Sequence, residues 1–311
     1  MMTTFINPEM TLRPIDSSGA DDDALLEMWN ASADYDPLTP DLWQEFVYQD
    51  PDFAPQHTLV VFAGTQPIAF VMGVVRSSGI GYIKMMLVSK TYRRQKVGKM
   101  LLLRMETALS ALGARTIRVG EAPPAYFIPG IDPRYTSAIA FFQKNGYEKF
   151  SEGYHMHCDL LAEDWKTDEA EALLEKQGLT TRRATSSDFE PVMAFLEQNF
   201  KPWQFEVAAS FRKNPIAVHL GLRNGQLLGF AAYDGTHTGL PWFGPMGTDP
   251  TERKLGIGAV LLRRCLRDQK DHGHTFSVIP WVGPYTFYAQ HASAEISRIF
   301  WRFQKTISLL S

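Results

Sequence analysis

Cysteine is scarce in this chain: two in 311 residues, Cys158 and Cys265. Two are too few for a disulfide scaffold, and they lack the close spacing of a metal site, so no metal is expected. Long apolar runs are missing too. No stretch approaches the roughly 18 residues that a membrane helix requires, so no membrane span is expected. The opening residues, MMTTFINPEM, have no basic segment leading into an apolar run and predict no secretory leader. Nor is there an excess of positive charge. Lysine and arginine number 31 against 34 acids, a net charge of −3. A general nucleic-acid binder needs a basic surface to neutralise phosphate, so none is expected here. The histidines assemble no ligand set: His155 and His157 share one face of a strand-like run, and His272 and His274 flank a glycine. A reducing, cytoplasmic compartment fits these absences, and they leave the oligomeric state open.

What remains is an ordinary globular composition, 45% hydrophobic, on a length comfortable for two cores. An internal repeat organises it. The stretch TERKLGIGAVLLRRCL at 251–266 has a counterpart, TYRRQKVGKMLLLRME, at 91–106. Arg93 stands against Arg253, Gly98 against Gly258 and Gly113 against Gly273, all at one offset of 160 (253 − 93). Each copy predicts a leucine-rich helix that starts at a glycine-bearing turn. Each helix stops at a glycine suited to a left-handed cap, and a short strand-like run follows. Upstream, 58–75 and 217–235 each read as a hairpin, the second with Asn224-Gly225 at its turn. Each half therefore reads β, α, β-hairpin, β, glycine turn, α, β, α, β. The strand before the turn is 81–88 in the first half and 241–247, weaker on propensity, in the second. The acidic stretch 162–178 reads as a linker helix between domains at 1–161 and 179–311.

A helix start presents unpaired N–H groups and the positive end of the helix dipole, which suit a phosphate. Gly256 and Gly258 let the backbone bend tightly and an anion come close, and Arg253 adds a fixed charge. The physical reading of RKLGIG is an anion cradle, with a diphosphate as its natural occupant. A nucleotide-triphosphatase loop is excluded, because Gly98-Lys99 is followed by methionine. A Rossmann site is excluded by position, since the turn follows the fourth strand and not the first.

On these residues the chain resembles the GNAT superfamily of N-acetyltransferases, in tandem. The family signature for acyl-CoA is Arg/Gln-x-x-Gly-x-Gly/Ala after strand four. Residues 253–258 match it at every position; residues 93–98 match except that Lys96 replaces the first glycine. The family's closing signature fits FFQKNGYEKF at 141–150 well and 287–303 only loosely. The resemblance implies two tandem α/β domains, each with a mixed, mostly antiparallel central sheet flanked by helices. It implies acetyl-CoA as co-substrate and a primary amine, on a small molecule or a peptide, as acceptor, attacking the thioester directly. A non-catalytic acyl-CoA-binding protein is the alternative.

The resemblance places the acyl-CoA cradle on Met246, Gly247, Arg253, Lys254, Leu255, Gly256, Ile257, Gly258 and Ala259. In the first half it places it on Leu87, Val88, Arg93, Arg94, Gln95, Lys96, Val97, Gly98 and Lys99, where the Cβ of Lys96 is expected to crowd the turn. The family's tyrosine acid falls on Tyr288, with Tyr285 as a rival, whereas the first half has Phe142 there. Between strand five and the last helix the first half carries extra residues, 121–137. Glu121 at the strand end is a candidate base. Tyr126, Asp132, Arg134 and Tyr135 are candidates to line a pocket, or to pack.

Overall fold

The computed structural model describes residues 9–252 and 255–307. In chain order it contains β1 (Met10–Pro14), α1 (Asp22–Asn30), α2 (Pro40–Trp43), β2 (Thr58–Ala63), β3 (Gln66–Val75), β4 (Ile80–Val88), α3 (Val97–Ala111), β5 (Thr116–Val119), α4 (Thr136–Lys144) and β6 (Glu148–Asp159). There follow α5 (Asp168–Glu175), β7 (Leu179–Arg183), α6 (Phe189–Asn199), α7 (Gln204–Phe211), β8 (Val218–Arg223), β9 (Gln226–Tyr233), β10 (Phe243–Thr248), α8 (Ile257–Asp271), β11 (Phe276–Ile279), α9 (Tyr285–Ala292) and β12 (Glu295–Thr306). Two compact units result: residues 1–153 with 300–311, and residues 154–299.

This division departs from contiguous halves. β6 leaves the first unit after Gly153, and β12 re-enters it at Phe300. The stretch 162–178 does hold a helix, α5, which lies inside the second unit. The C-terminal part of β12 pairs antiparallel with β5, from Phe303 opposite Val119 to Thr306 opposite Thr116. β12 thus lies between β5 and β6 in the strand order β1-β2-β3-β4-β5-β12-β6.

In the first unit β3 is buried on both faces, which is why it reads as a continuous apolar run. Its side chains alternate between two cores. Phe70, Met72 and Val74 pack with Leu25, Trp29, Trp43 and Phe46 from the α1–α2 region. Ala69 and Val71 pack with Leu101, Met105 and Leu109 of α3, Phe142 of α4 and Phe303 of β12. The second unit repeats the plan with the sheet β10-β9-β8-β7. Phe230 and Ala232 of β9 face Val192, Leu196 and Val207 of α6 and α7, whereas Ala231 and Tyr233 face Leu261, Cys265 and Leu266 of α8. β11 pairs with the far end of β6, Phe276 opposite Asp159 through Ile279 opposite Met156. The two long helices, α3 and α8, each have 15 residues and end at Gly113 and Gly273, both at φ 91. Among the described residues no helix is long and apolar enough to cross a membrane.

Candidate functional site

The same device appears once in each unit: a strand that loses its neighbour, followed by a left-handed turn into a long helix. In the first unit β4 and β5 run parallel and pair from Ile80–Thr116 to Ile83–Val119. The last link is the Gly120 N–H to the Ile83 carbonyl at 2.9 Å. β4 then continues to Val88 without β5 beside it. In the second unit Trp242, just before β10, makes one parallel bridge to Val278 of β11, and the Val278 N–H donates to the Pro241 carbonyl at 2.8 Å. From there β10 runs on as the edge of its sheet.

Which backbone groups face each gap follows from the alternation of an antiparallel ladder. The Ser89 N–H donates to Ile68 of β3. Leu87, two residues back, points the same way, so Met86 and Val88 point their N–H and C=O groups into the gap. In the second unit the Asp249 N–H donates to Leu228 of β9, so Thr248 and Met246 face the open edge and Gly247 does not. Met86 and Thr248 were not singled out in the sequence. Strand periodicity gives two alternative phases, and only the observed pairing chooses between them.

The turns match. Gly256 caps α8 at φ 85, and Lys96 caps α3 at φ 67. Lys96 therefore does not crowd the turn out of shape. It adopts the glycine conformation, at a steric cost of roughly 1 kcal/mol. Arg94 is also left-handed, at φ 66. The first intrahelical bonds are Met100 N–H to Lys96 and Val260 N–H to Gly256. The N–H groups of Val97, Gly98 and Lys99, and of Ile257, Gly258 and Ala259, thus have no partner within their helices. Neither first turn carries an acid or a side-chain cap that would compete with an anion. Val97 and Ile257 are buried and anchor the two turns, and Leu255 packs on the second unit's core. Arg94, Lys96 and Lys99 are exposed cations beside the first turn. Gln95 donates from Nε2 to the Thr91 carbonyl. Arg253 and Lys254 lie outside the described residues.

Arg93 has a different role from an anion fork. Its Nε donates to the gap-facing carbonyl of Val88 at 3.0 Å and its Nη2 to Ser32 at 3.3 Å. It braces the end of β4 against the segment after α1. The second glycines have equivalent surroundings: a Cβ on Gly98 would meet Val88 and Phe141, and one on Gly258 would meet Met246 and Phe287. That equivalence sets Phe287 against Phe141 and hence Tyr288 against Phe142. α9 reaches its left-handed end one residue later, at Ser293, where the first unit has Gly146.

Tyr288 is buried against Phe243 and Phe287, with ring centroids 6.1 and 5.2 Å away. Burial pushes its pKa up, so the phenol keeps its proton at neutral pH. Its rival Tyr285 is 51% exposed. Glu121 does not have the surroundings of a base. Both its oxygens accept from Arg302, at 2.9 and 2.9 Å, and Arg118 stands 3.5 Å away. With both oxygens taken by one guanidinium, this carboxylate is an anchor in an ion pair. The longer loop is folded onto itself and its neighbours. Asp132 holds Arg134 through two bonds, Arg134 lies 3.8 Å over the Tyr35 ring, and the Tyr135 hydroxyl accepts from the Tyr35 N–H. Tyr126 is buried. Among the described residues no group of three histidine, cysteine or carboxylate side chains is arranged for a metal.

Comparison with known proteins bears on the fold that carries these features. Residues 23–147 match the model of the acetyltransferase (GNAT) family. No curated protein matches the sequence. Among solved structures, the chain is similar to a fungal multidomain GH3 β-N-acetylglucosaminidase that contains a GCN5-related glucosamine N-acetyltransferase region. That likeness has a TM-score of 0.80 at 19% identity and covers 95% of this chain but 38% of the fungal one. A GCN5-related N-acetyltransferase from Sphaerobacter thermophilus gives a TM-score of 0.73 at 17% identity, covering 97% of each chain. A tandem GNAT protein from the clavulanic acid biosynthesis pathway gives 0.67 at 16% identity, covering 97% of this chain and 100% of that one. At these identities the likeness is one of fold.

Proposed function

We propose that this chain, a GNAT-superfamily protein whose residues 23–147 carry the family's domain and whose fold is that of tandem relatives, is an N-acetyltransferase that moves acetyl from acetyl-CoA to a primary amine. The reading assigns transfer to the second unit and coenzyme A binding to both. One observation supports it above the rest: a strand edge bare of its neighbour leads into a left-handed helix start, twice in one chain.

The residues fit the co-substrate. The N–H groups of Ile257, Gly258 and Ala259 would hold the diphosphate. The bare edge at Met246 and Thr248 would take the amides of the pantetheine arm as a sheet takes a further strand. Acetyl-CoA supplies the activated acyl group. An N–H of β10 aimed at the thioester carbonyl would stabilise charge as it develops there. The amine must arrive neutral, and the departing thiolate needs a proton, since thiols titrate near ~8.5. Tyr288 is protonated and placed on the helix beside the cradle, and serves as that acid. Glu121, clamped by Arg302, is given no proton-transfer role. The fungal relative's glucosamine region makes amino sugars the first acceptors to try.

The test is release of free thiol from acetyl-CoA in the presence of glucosamine and other primary amines. Gly256→Glu, which fills the second cradle with an acidic side chain, is expected to abolish turnover. Gly98→Glu is expected to leave most of it. Tight coenzyme A binding without turnover on any amine would replace the enzyme by an acyl-CoA-binding protein.

A further inference from the structure

We propose that Glu121, Asp50 and Lys84 are positioning residues that hold the first unit's gap at the width coenzyme A needs. The inference rests on the reading that the turns bind coenzyme A, and it concerns residues that do not touch the ligand.

The starting observation is the backbone where the chain leaves β5. Gly120, Glu121 and Ala122 are left-handed in succession, at φ 70, 57 and 58. Two of the three are not glycine and sit against their steric preference, which persists only where the surroundings enforce it. The triplet starts at the last link between β5 and β4, and it turns the chain away from β4 at the apex of the gap. A Cβ on Gly120 would lie 3.1 Å from backbone atoms of Ile128 and Gly130, so space as well as φ demands glycine there.

Buried charges hold this turn from two sides. On one side Arg302, delivered by β12, makes its two bonds to Glu121. On the other the Ala122 carbonyl accepts from Arg76 at 2.8 Å. Arg76 makes two bonds of 2.7 Å to Asp50, and Asp50 accepts from Lys84 at 2.6 Å. Lys84 is the residue at which β4 slips register against β3, between Ile83 and Met85. Its ammonium also donates to the Phe46 carbonyl at 2.5 Å. One carboxylate, Asp50, therefore fastens β4 where its ladder with β5 ends and, through Arg76, fastens the opposite bank of the gap. Lys84, Asp50 and Glu121 are 2%, 4% and 1% exposed. Buried ion clusters are poor sources of net stability, and their best use is to fix one arrangement among several. The second gap is built otherwise. Trp242 follows the linking carbonyl where Lys84 does in the first unit, and the exit from β11 has one left-handed residue, Trp281 at φ 44.

The experiment uses the full chain in a Gly256→Glu background, so that coenzyme A titrated by calorimetry reports on the first unit. Glu121→Gln is expected to weaken binding at least tenfold, and Asp50→Asn to do the same. Adding Ala122→Gly to Glu121→Gln removes a steric objection to the turn and is expected to restore most of the affinity. Should Glu121→Gln fail to fold, Arg302→Lys loosens the same clamp while keeping its charge. Unchanged affinity in these variants overturns the proposal. So does an affinity loss that follows the melting temperature and ignores Ala122→Gly, because that is the behaviour of a purely structural cluster. Absence of coenzyme A binding in the Gly256→Glu parent is a separate outcome, one that removes the first unit's cradle itself.

Discussion

The two units build the same gap by opposite means. In the first, ion pairs do the work: Asp50, Arg76, Lys84, Glu121 and Arg302 tie both banks, and a lysine takes the left-handed cap. In the second, the cap is a glycine and the region around the apex is aromatic and histidine-rich. Trp242 stacks on His237 at 3.6 Å and meets His155 edge-on, and the Trp281 N–H donates to His155 Nδ1. The first unit also has Phe142 where the second has Tyr288. One backbone plan thus tolerates two chemistries at its opening. On the proposed reading the turn and the bare edge, which both units share, carry binding, whereas the side chains around them, which differ, decide whether a unit does more.

The largest expected effect separates the units by their completeness. Removing residues 300–311 strips β12 from β5 and leaves Glu121 and Glu106 without Arg302 and Lys305. Uncompensated buried charge alone costs about 3–5 kcal/mol. The first unit is expected to lose its cooperative transition while the second keeps its own. Hydrogen exchange at β5 against β8 and β9 checks this, and protection retained at β5 would refute it.

Next in size is the contrast at the last helix. Tyr288→Phe is expected to lower kcat about a hundredfold with little change in the dissociation constant of coenzyme A. Phe142→Tyr is expected to add no activity. Equal kcat in wild type and Tyr288→Phe would make Tyr288 a packing residue.

Alkaline pH should act with opposite signs in the two units, because burial raises the pKa of the Cys158 and Cys265 thiols in the second, whose folded form keeps protons that the unfolded chain loses near pH 9. Two cations share Asp50, so burial dominates at Lys84 and brings its pKa down to about 8. Above that pH the folded chain has released a proton that the unfolded chain keeps up to its ordinary value of 10.5. The Lys84 contribution to unfolding free energy should therefore rise from pH 8 towards 10, by at most about 1.4 kcal/mol per pH unit. Denaturant titrations along this range should show the rise as the difference between wild type and Lys84→Met, and a difference that does not change with pH would refute it.

The smallest effect tests the caps. Lys96→Gly frees a strained residue and should stabilise the first unit by roughly 1 kcal/mol, and Gly256→Lys should cost the second about as much. Melting temperatures that move the same way in both variants would break the equivalence of the two turns.

Much of the plan was legible in the sequence, because it is written in local signals. The offset joining Gly98 to Gly258 and Gly113 to Gly273 marked two helices of equal length, and the left-handed caps followed from it. Three things were not legible. The exchange of β12 is invisible because its residues alternate equally well beside any sheet edge, and only long-range pairing assigns them. The true partner of Arg93, a carbonyl on β4, could not be told from an anion, since guanidinium suits both. Glu121 looked like a base at a strand end until its cation, 181 residues further along the chain, was placed beside it.

The exchange of β12 also sets an order in time. The ribosome releases the first 153 residues long before Phe300 is made, and domains ordinarily fold as they emerge. Here β5 must wait for β12, a strand made about 180 residues later (303 − 119). A message cut short before Phe300 would yield a finished second unit and an unfinished first one, with β5 bare for chaperones or proteases to find.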